Sequence, residues 1–228
     1  MNKSMFFKQY TLWLPRWWVI VLSLMLTALL VLFGLRNAAY YLAVSEPKHG
    51  NYLIVEGWLD DKSLDQALAL FNSNSGYQFI ITTGGPDERY SNTKHLTYAE
   101  QSADYLLAKG LPSKEIIVIS TPTSAQARTF LSAVMVREWF AVNNIENATM
   151  DIFTGSVHAR RTHLLYTKAF GPINHIGIYA SNPSRFDLST WWQTSEGAKS
   201  VSTELIALIW TILFFDPGVP GSYQEKWG

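Results

Sequence analysis

Met150-Asp151-Ile152-Phe153-Thr154-Gly155-Ser156-Val157-His158-Ala159-Arg160-Arg161 is the stretch that decides how this chain folds. Its first five residues are an apolar run of strand length, and Gly155-Ser156 breaks the run. From Val157 the pattern turns helical as far as Phe170, with Gly171 as its stop. A strand that feeds directly into a helix is half of a βαβ unit, and such units build parallel sheets.

The same alternation recurs in both directions. Apolar runs at residues 52–55, 78–82, 115–119 and 175–179 read as further strands. Between them, Leu64, Ala67, Leu68 and Phe71 fall on one helical face that ends near Gly76. Thr97-Tyr98-Ala99-Glu100 opens a second helix as a capping box, closed by Gly110. A third helix is expected from about residue 125 to 142, and a last one from about 202 to 215, stopped by Pro217-Gly218. Five buried strands with helices on both faces make an α/β, Rossmann-like, three-layer fold with a mostly parallel sheet. About eleven largely apolar residues in the last helix reach only about 17 Å, too short to cross a bilayer, so a core helix is expected there. A membrane contact by that helix is the competing reading.

Residues 17–35 carry no charge and follow Lys3, Lys8 and Arg16. As a helix they rise about 28 Å, close to the hydrocarbon thickness of a bilayer. Trp17-Trp18 stands where interfacial aromatics are expected, and the basic flank predicts a cytoplasmic N-terminus with the rest of the chain outside. A cleaved signal peptide is the alternative. The run exceeds the usual signal core of about 7–15 residues, and Asn37-Ala38-Ala39 is a poor cleavage site, so an uncleaved single-pass anchor is expected. The chain then divides into a basic segment at 1–16, a span at 17–35, a juxtamembrane linker at 36–50, one domain at 51–215 and a tail at 216–228.

Lys plus Arg equals Asp plus Glu at 18 each, so there is no basic surplus for nucleic acid. Cysteine is absent, which removes disulfides, thiolate metal sites and a cysteine nucleophile. His49, His95, His158, His163 and His175 show no paired metal-ligand spacing. No Gly-x-Ser-x-Gly elbow follows any strand, although Thr154-Gly155-Ser156 and Thr123-Ser124 offer hydroxyls.

In open parallel sheets, ligands bind beyond the carboxyl ends of the strands. Those ends here carry Glu56-Gly57-Trp58, then Thr83-Gly84-Gly85-Pro86-Asp87, then Ser120-Thr121-Pro122-Thr123-Ser124, and finally the Thr154-to-Arg161 loop. Thr83, Gly84 and Gly85 read as a tight turn or a phosphate cradle. Thr154 and Ser156 precede a helix whose first N–H groups suit an anion. His158 and Arg161 lie one turn apart on one helical face, where an imidazole could move a proton and a guanidinium could grip a phosphate. Arg128, at the start of the third helix, is a second candidate cation. Glu56 is either a base facing the crevice or a loop-binding carboxylate, and Glu100 either a cap or an acid–base group. Trp191, Trp192 and Trp210 are expected in core packing, with a lipid-facing wall as the alternative.

Taken in order, Thr83-Gly84-Gly85, Thr97-Tyr98-Ala99-Glu100, Arg128-Thr129-Phe130-Leu131-Ser132-Ala133 and Thr154-Gly155-Ser156-Val157-His158-Ala159-Arg160-Arg161 resemble the motifs of the YdcF-like family, also called SanA/ElyC-like. That family pattern is a Gly-Gly loop, a Ser/Thr-Glu-Ala helix start, an Asn-Thr-x-Glu-Asn-Ala helix and Thr-Ser-x-x-His-x-x-Arg. The likeness runs from about residue 52 to 215. In the third motif only Thr129 and Ala133 match, and Leu131 stands where the family has its carboxylate. Glu56-Gly57-Trp58 also departs from the usual Leu-Gly-Gly or Leu-Gly-Ala. The resemblance implies a Rossmann-like domain, frequently anchored in the bacterial inner membrane with its soluble part outside the cytoplasm, and associated with envelope integrity and peptidoglycan or lipid-carrier metabolism. By that likeness Thr129 joins the ligand-binding candidates, a polyprenyl phosphate or another phosphate-bearing ligand is the expected partner, and no cofactor is specified. Two functions follow as expectations, an envelope enzyme acting on a phosphate-bearing precursor or a non-catalytic ligand-sensing module.

Overall fold

The structure is a computed structural model that describes residues 14–73, 76–86, 97–123, 127–171, 175–221 and 225. Lys3, Lys8, Asp87, His95 and Ser124, and residues 222–224 and 226–228 of the expected tail, lie outside the described residues. The chain forms two units, Met1–Asn37 and Ala38–Gly228.

Helix α1 (Trp17–Leu42) makes up nearly all of the described part of the first unit. From Trp17 to Asn37 its side chains are exposed apart from half-buried Val19, and it is long and apolar enough to cross a membrane. The helix does not stop at Leu35 but runs on to Leu42, because no proline or glycine interrupts residues 35–42. Its last turn belongs to the second unit, where Ala38, Ala39 and Leu42 are buried.

The second unit is a five-stranded, all-parallel sheet in the order β3-β2-β1-β4-β5. Its strands are β1 (Tyr52–Glu56), β2 (Phe79–Gly84), β3 (Ile116–Ser120), β4 (Thr149–Thr154) and β5 (His175–Ala180). The connecting helices are α2 (Asp61–Asn72), α3 (Tyr98–Ala108), α4 (Arg128–Val142) and α5 (Ala159–Phe170), and α6 (Ser195–Leu213) follows β5. Successive strand residues point to opposite faces, so each strand feeds two cores. Ile54, Ile81, Ile152 and Ile178 pack with Phe130, Val134 and Tyr166 of α4 and α5. Leu53, Val55, Ile80 and Phe153 pack with Leu64, Ala67 and Leu106 of α2 and α3. The α/β, Rossmann-like architecture read from the sequence is therefore the one observed, with the edge strand β3 less buried than the runs implied.

A buried carboxylate locks the far end of the sheet. Asp151 Oδ1 accepts the Lys48 N–H at 2.6 Å, while Oδ2 accepts the Tyr77 hydroxyl at 2.6 Å and the Gly50 N–H at 3.3 Å. Burial and this carboxylate both push the Tyr77 hydroxyl pKa up, so it stays a donor. On the adjacent strand, Gly177 leaves the room required, since a Cβ there would stand 1.8 Å from Asp151 Oδ1.

Three helix starts differ from the sequence pattern. Helix α4 begins at Arg128, behind Ala127 in the left-handed region at φ 49°. Residues Ser156–His158 form a 3-10 turn, so α5 starts at Ala159. Helix α6 begins seven residues early, at Ser195, where the Thr194 side chain accepts the Gly197 N–H at 3.1 Å. Nor is α6 a core helix all round. Val201, Glu204, Leu208 and Thr211 are buried, while Ile206, Ile209, Trp210 and Leu213 are exposed.

Candidate functional site

From the centre of the sheet, β1 leads outward to β2 and β3, while β4 leads the other way to β5. The adjacent carboxyl ends of β1 and β4 form the topological switch point, where an open α/β sheet leaves a crevice. A cleft of about 340 Å³ lies there. Glu56 and Trp58 line it from the end of β1, Thr83, Gly84 and Gly85 from the end of β2, and Arg128, Thr129 and Ser132 from the first turns of α4. His158 and Arg161 close it from the start of α5.

Glycines hold the cleft open because α3 presses on its floor. A Cβ on Gly57 would meet the Tyr98 carbonyl at 2.4 Å. Gly84 combines a positive φ of 152° with an approach of 2.9 Å to the Tyr98 Cβ, so both backbone and space require glycine.

Glu56 is the most unusual group in the cleft. It is 2 % exposed, accepts a short hydrogen bond from the Thr154 hydroxyl on one oxygen, and has no partner for Oε1 among the described residues. Burial raises its pKa, against the opposing pull of the Thr154 bond and of His158 and Arg161. The net shift is upward, towards the protonated form, in which Oε1 is the oxygen left to carry the proton.

Opposite Glu56 stands a group the sequence reading missed. Glu204 on α6 is 3 % exposed and receives Arg161 Nε–H at 2.8 Å and an Arg161 terminal N–H at 2.9 Å, a bidentate pair. His158 Nδ1 lies 2.8 Å from the same carboxylate. Burial alone would raise the Glu204 pKa, but the bonds and charges of His158 and Arg161 outweigh it and hold the carboxyl at about 2. With Nδ1 turned to Glu204, the imidazole keeps Nε2 for a ligand or a proton. The longer approach of Arg161 to Nδ1, 3.4 Å, joins two donors and is no hydrogen bond in that arrangement. A signal for Glu204 existed, because it falls in register with Val201 and Leu208, a lone carboxylate on the apolar face of α6.

This pairing changes the role expected of Arg161. The spacing with His158 holds, but the guanidinium is already bonded by Glu204, and its charge is compensated before any anion arrives. Arg128 differs, since among the described residues no carboxylate pairs with it. It stands with Thr129 at the N-terminus of α4, where among the described residues no side chain caps the first N–H groups.

The other expected residues divide. Thr154 is buried and serves Glu56. Ser156, at φ 27°, donates its N–H to Ser181 Oγ, and its own hydroxyl is buried and does not line the cleft. Glu100 accepts the Thr97 N–H at 3.0 Å while its own N–H reaches Thr97 Oγ1 at 3.2 Å; this is the capping box read from the sequence, and it lies outside the cleft lining. Trp58 sets its ring edge-on to His158, with centroids 4.7 Å apart. Core packing holds for Trp191, whereas Trp192 and Trp210 are exposed. Among the described residues no three His, Asp or Glu side chains group as a metal-ligand set.

The arrangement can bind an anion at Arg128 and the α4 N-terminus and move protons through Glu56 and the His158–Glu204 pair. No protein-family model matches the chain, and no curated protein matches it.

Proposed function

We propose that this is a membrane-anchored protein of the bacterial envelope that binds a phosphate-bearing ligand, lipid-linked or nucleotide-like, in the switch-point cleft and performs acid–base chemistry on it. The observation that carries this reading is Glu56, a buried carboxyl with raised pKa and an unpartnered oxygen, in one cleft with the carboxylate-oriented His158. A buried carboxyl able to carry a proton and an imidazole oriented by a second carboxylate, in one cleft, are the parts that acid–base chemistry requires. Arg128, Thr129 and the α4 N-terminus favour the phosphate, and protonated Glu56 is placed to donate to an oxygen of the bound ligand. The ordered resemblance to the YdcF-like family supports the envelope setting, and α1 supports the anchor. A ligand-sensing module without catalysis is the second reading, favoured by Leu131 in the position where that family has a carboxylate.

The test is thermal stabilisation of the full chain in detergent by polyprenyl phosphate and by nucleotides. A ligand at about a hundredfold excess over Kd stabilises by about 2.7 kcal/mol. Arg128→Ala abolishes that gain and leaves the unliganded melting point unchanged. Absence of stabilisation by any phosphate compound refutes the reading.

A further inference from the structure

We propose that the outer face of α6 is a second membrane-binding surface, which lays the domain against the same bilayer that holds α1. Residues on a helix advance by about 100° each, so Ile206, Ile209, Trp210 and Leu213 stand at i, i+3, i+4 and i+7 along one stripe. All four are exposed. The stripe lies opposite Val201, Glu204 and Leu208, which face the domain, so the C-terminal half of α6 is apolar on two sides. One side is explained by the core; on the other, the Trp210 ring lies 5.7 Å from that of Phe215, and the four side chains of the stripe remain half or more exposed. Phe214, 70 % exposed, extends it.

Lipid is the occupant that the surroundings favour. The last turn of α1 packs on α6, with Ala38, Ala39 and Leu42 in one buried cluster with Val201 and Leu208. Whatever the angle between the two units, seven residues cannot carry Leu42 more than about 25 Å from Leu35, the end of the uncharged run. Helix α6 is thus tied to the point where the chain leaves the bilayer. Exposed Tyr40, Tyr41, Trp192 and Trp210 are the amphipathic aromatics that settle at headgroup depth. Cations lie near the ends of the stripe and at the end of α1, as an interfacial surface on anionic lipid requires. Lys199 lies on the N-terminal side of the stripe, Lys168 donates to the Phe215 carbonyl at 3.3 Å, and Arg160 stacks 3.9 Å over the Tyr41 ring. Asp216, the exposed acid that follows the stripe in the chain, accepts the Gly218 N–H.

This inference rests on the anchor reading but not on the ligand, and the experiment separates the two. The chain has no cysteine, so single-cysteine variants of the full protein take one nitrobenzoxadiazole label each. Ile209→Cys, Leu213→Cys, Leu26→Cys and Val142→Cys are labelled and reconstituted in vesicles of phosphatidylethanolamine and phosphatidylglycerol. Labels at positions 209 and 213 lose most of their emission to a doxyl quencher on the lipid chains and resist aqueous iodide, as does the label at position 26, while the label at exposed Val142 shows the reverse. If position 26 responds to the lipid quencher and positions 209 and 213 respond to iodide, the α6 surface is refuted and the anchor stands. Shielding of 209 and 213 from both quenchers means a protein, such as a second copy, covers the stripe and refutes lipid. A label at position 26 open to iodide refutes the anchor and this proposal together.

Discussion

Replacing Glu204 with glutamine removes one charge from a pocket built around it. A carboxyl held at about 2 in the folded protein instead of its ordinary 4.5 stabilises the fold by about 3 kcal/mol, at about 1.4 kcal/mol per pKa unit. Glutamine still offers one oxygen to the Arg161 fork, but its NH2 faces donors, and the Arg161 side chain, only 20 % exposed, loses its counter-charge. A loss of about 3 kcal/mol lowers the melting point of a domain this size by about 6–12 °C. The pH dependence follows from the sign of the shift. The folded pKa is below the unfolded one, so the contribution is complete above about pH 4.5 and is lost as the pH falls towards about 2. Near-UV circular dichroism melts of the full chain in detergent should show wild type well above Glu204→Gln at pH 7, with the gap closing between about pH 4.5 and about pH 2. Equal melting points at pH 7, or a gap unchanged down to pH 2, would refute the view that this pair holds α6 to α5.

Gly177→Ala places a methyl 1.8 Å from Asp151 Oδ1 and 2.5 Å from the Lys48 nitrogen, and overpacking plus buried hydrogen-bond loss should cost about 3 kcal/mol or more, read by denaturant titration; a midpoint near wild type would show that β5 shifts freely. Glu56→Gln works with the opposite sign from Glu204. The folded pKa of Glu56 is raised, so its ionisation costs stability as the pH rises above about 4.5, and the glutamine variant should melt higher than wild type at neutral pH, with the difference vanishing in acid. A lower melting point for that variant at pH 7 would mean Glu56 is stabilising as a carboxylate.

The fold was legible because short apolar runs such as Leu53-Ile54-Val55 and Phe79-Ile80-Ile81 are separated by glycines and by helical spacing, and local pattern carries that information. The cleft was legible to the same extent, since strand ends are fixed once strands are. What the pattern could not supply was pairing across distance. Glu204 lies 43 residues from Arg161, in a segment whose apolar character hid it, and the bond that gives Arg161 its role exists only when α6 docks. Glu56 read as equally suited to two roles because burial, which raises its pKa, is a property of the assembled sheet. Glu100 was readable because a capping box is local, with both partners three residues apart.

The strand order also sets a timetable for the growing chain. β1 takes β2 on one side from residues close behind it, but its other neighbour, β4, pairs Val55 with Phe153, and those residues are 98 positions apart. At about 5–20 residues per second, ribosomes need about 5–20 s to deliver β4 after β1. For that interval the central strand of the finished sheet is an edge, apolar and unpaired, and α1 has already emerged ahead of it. Nascent chains of this protein therefore depend on whatever shields that edge, and a synthesis pause between β1 and β4 should raise aggregation more than an equal pause after β5.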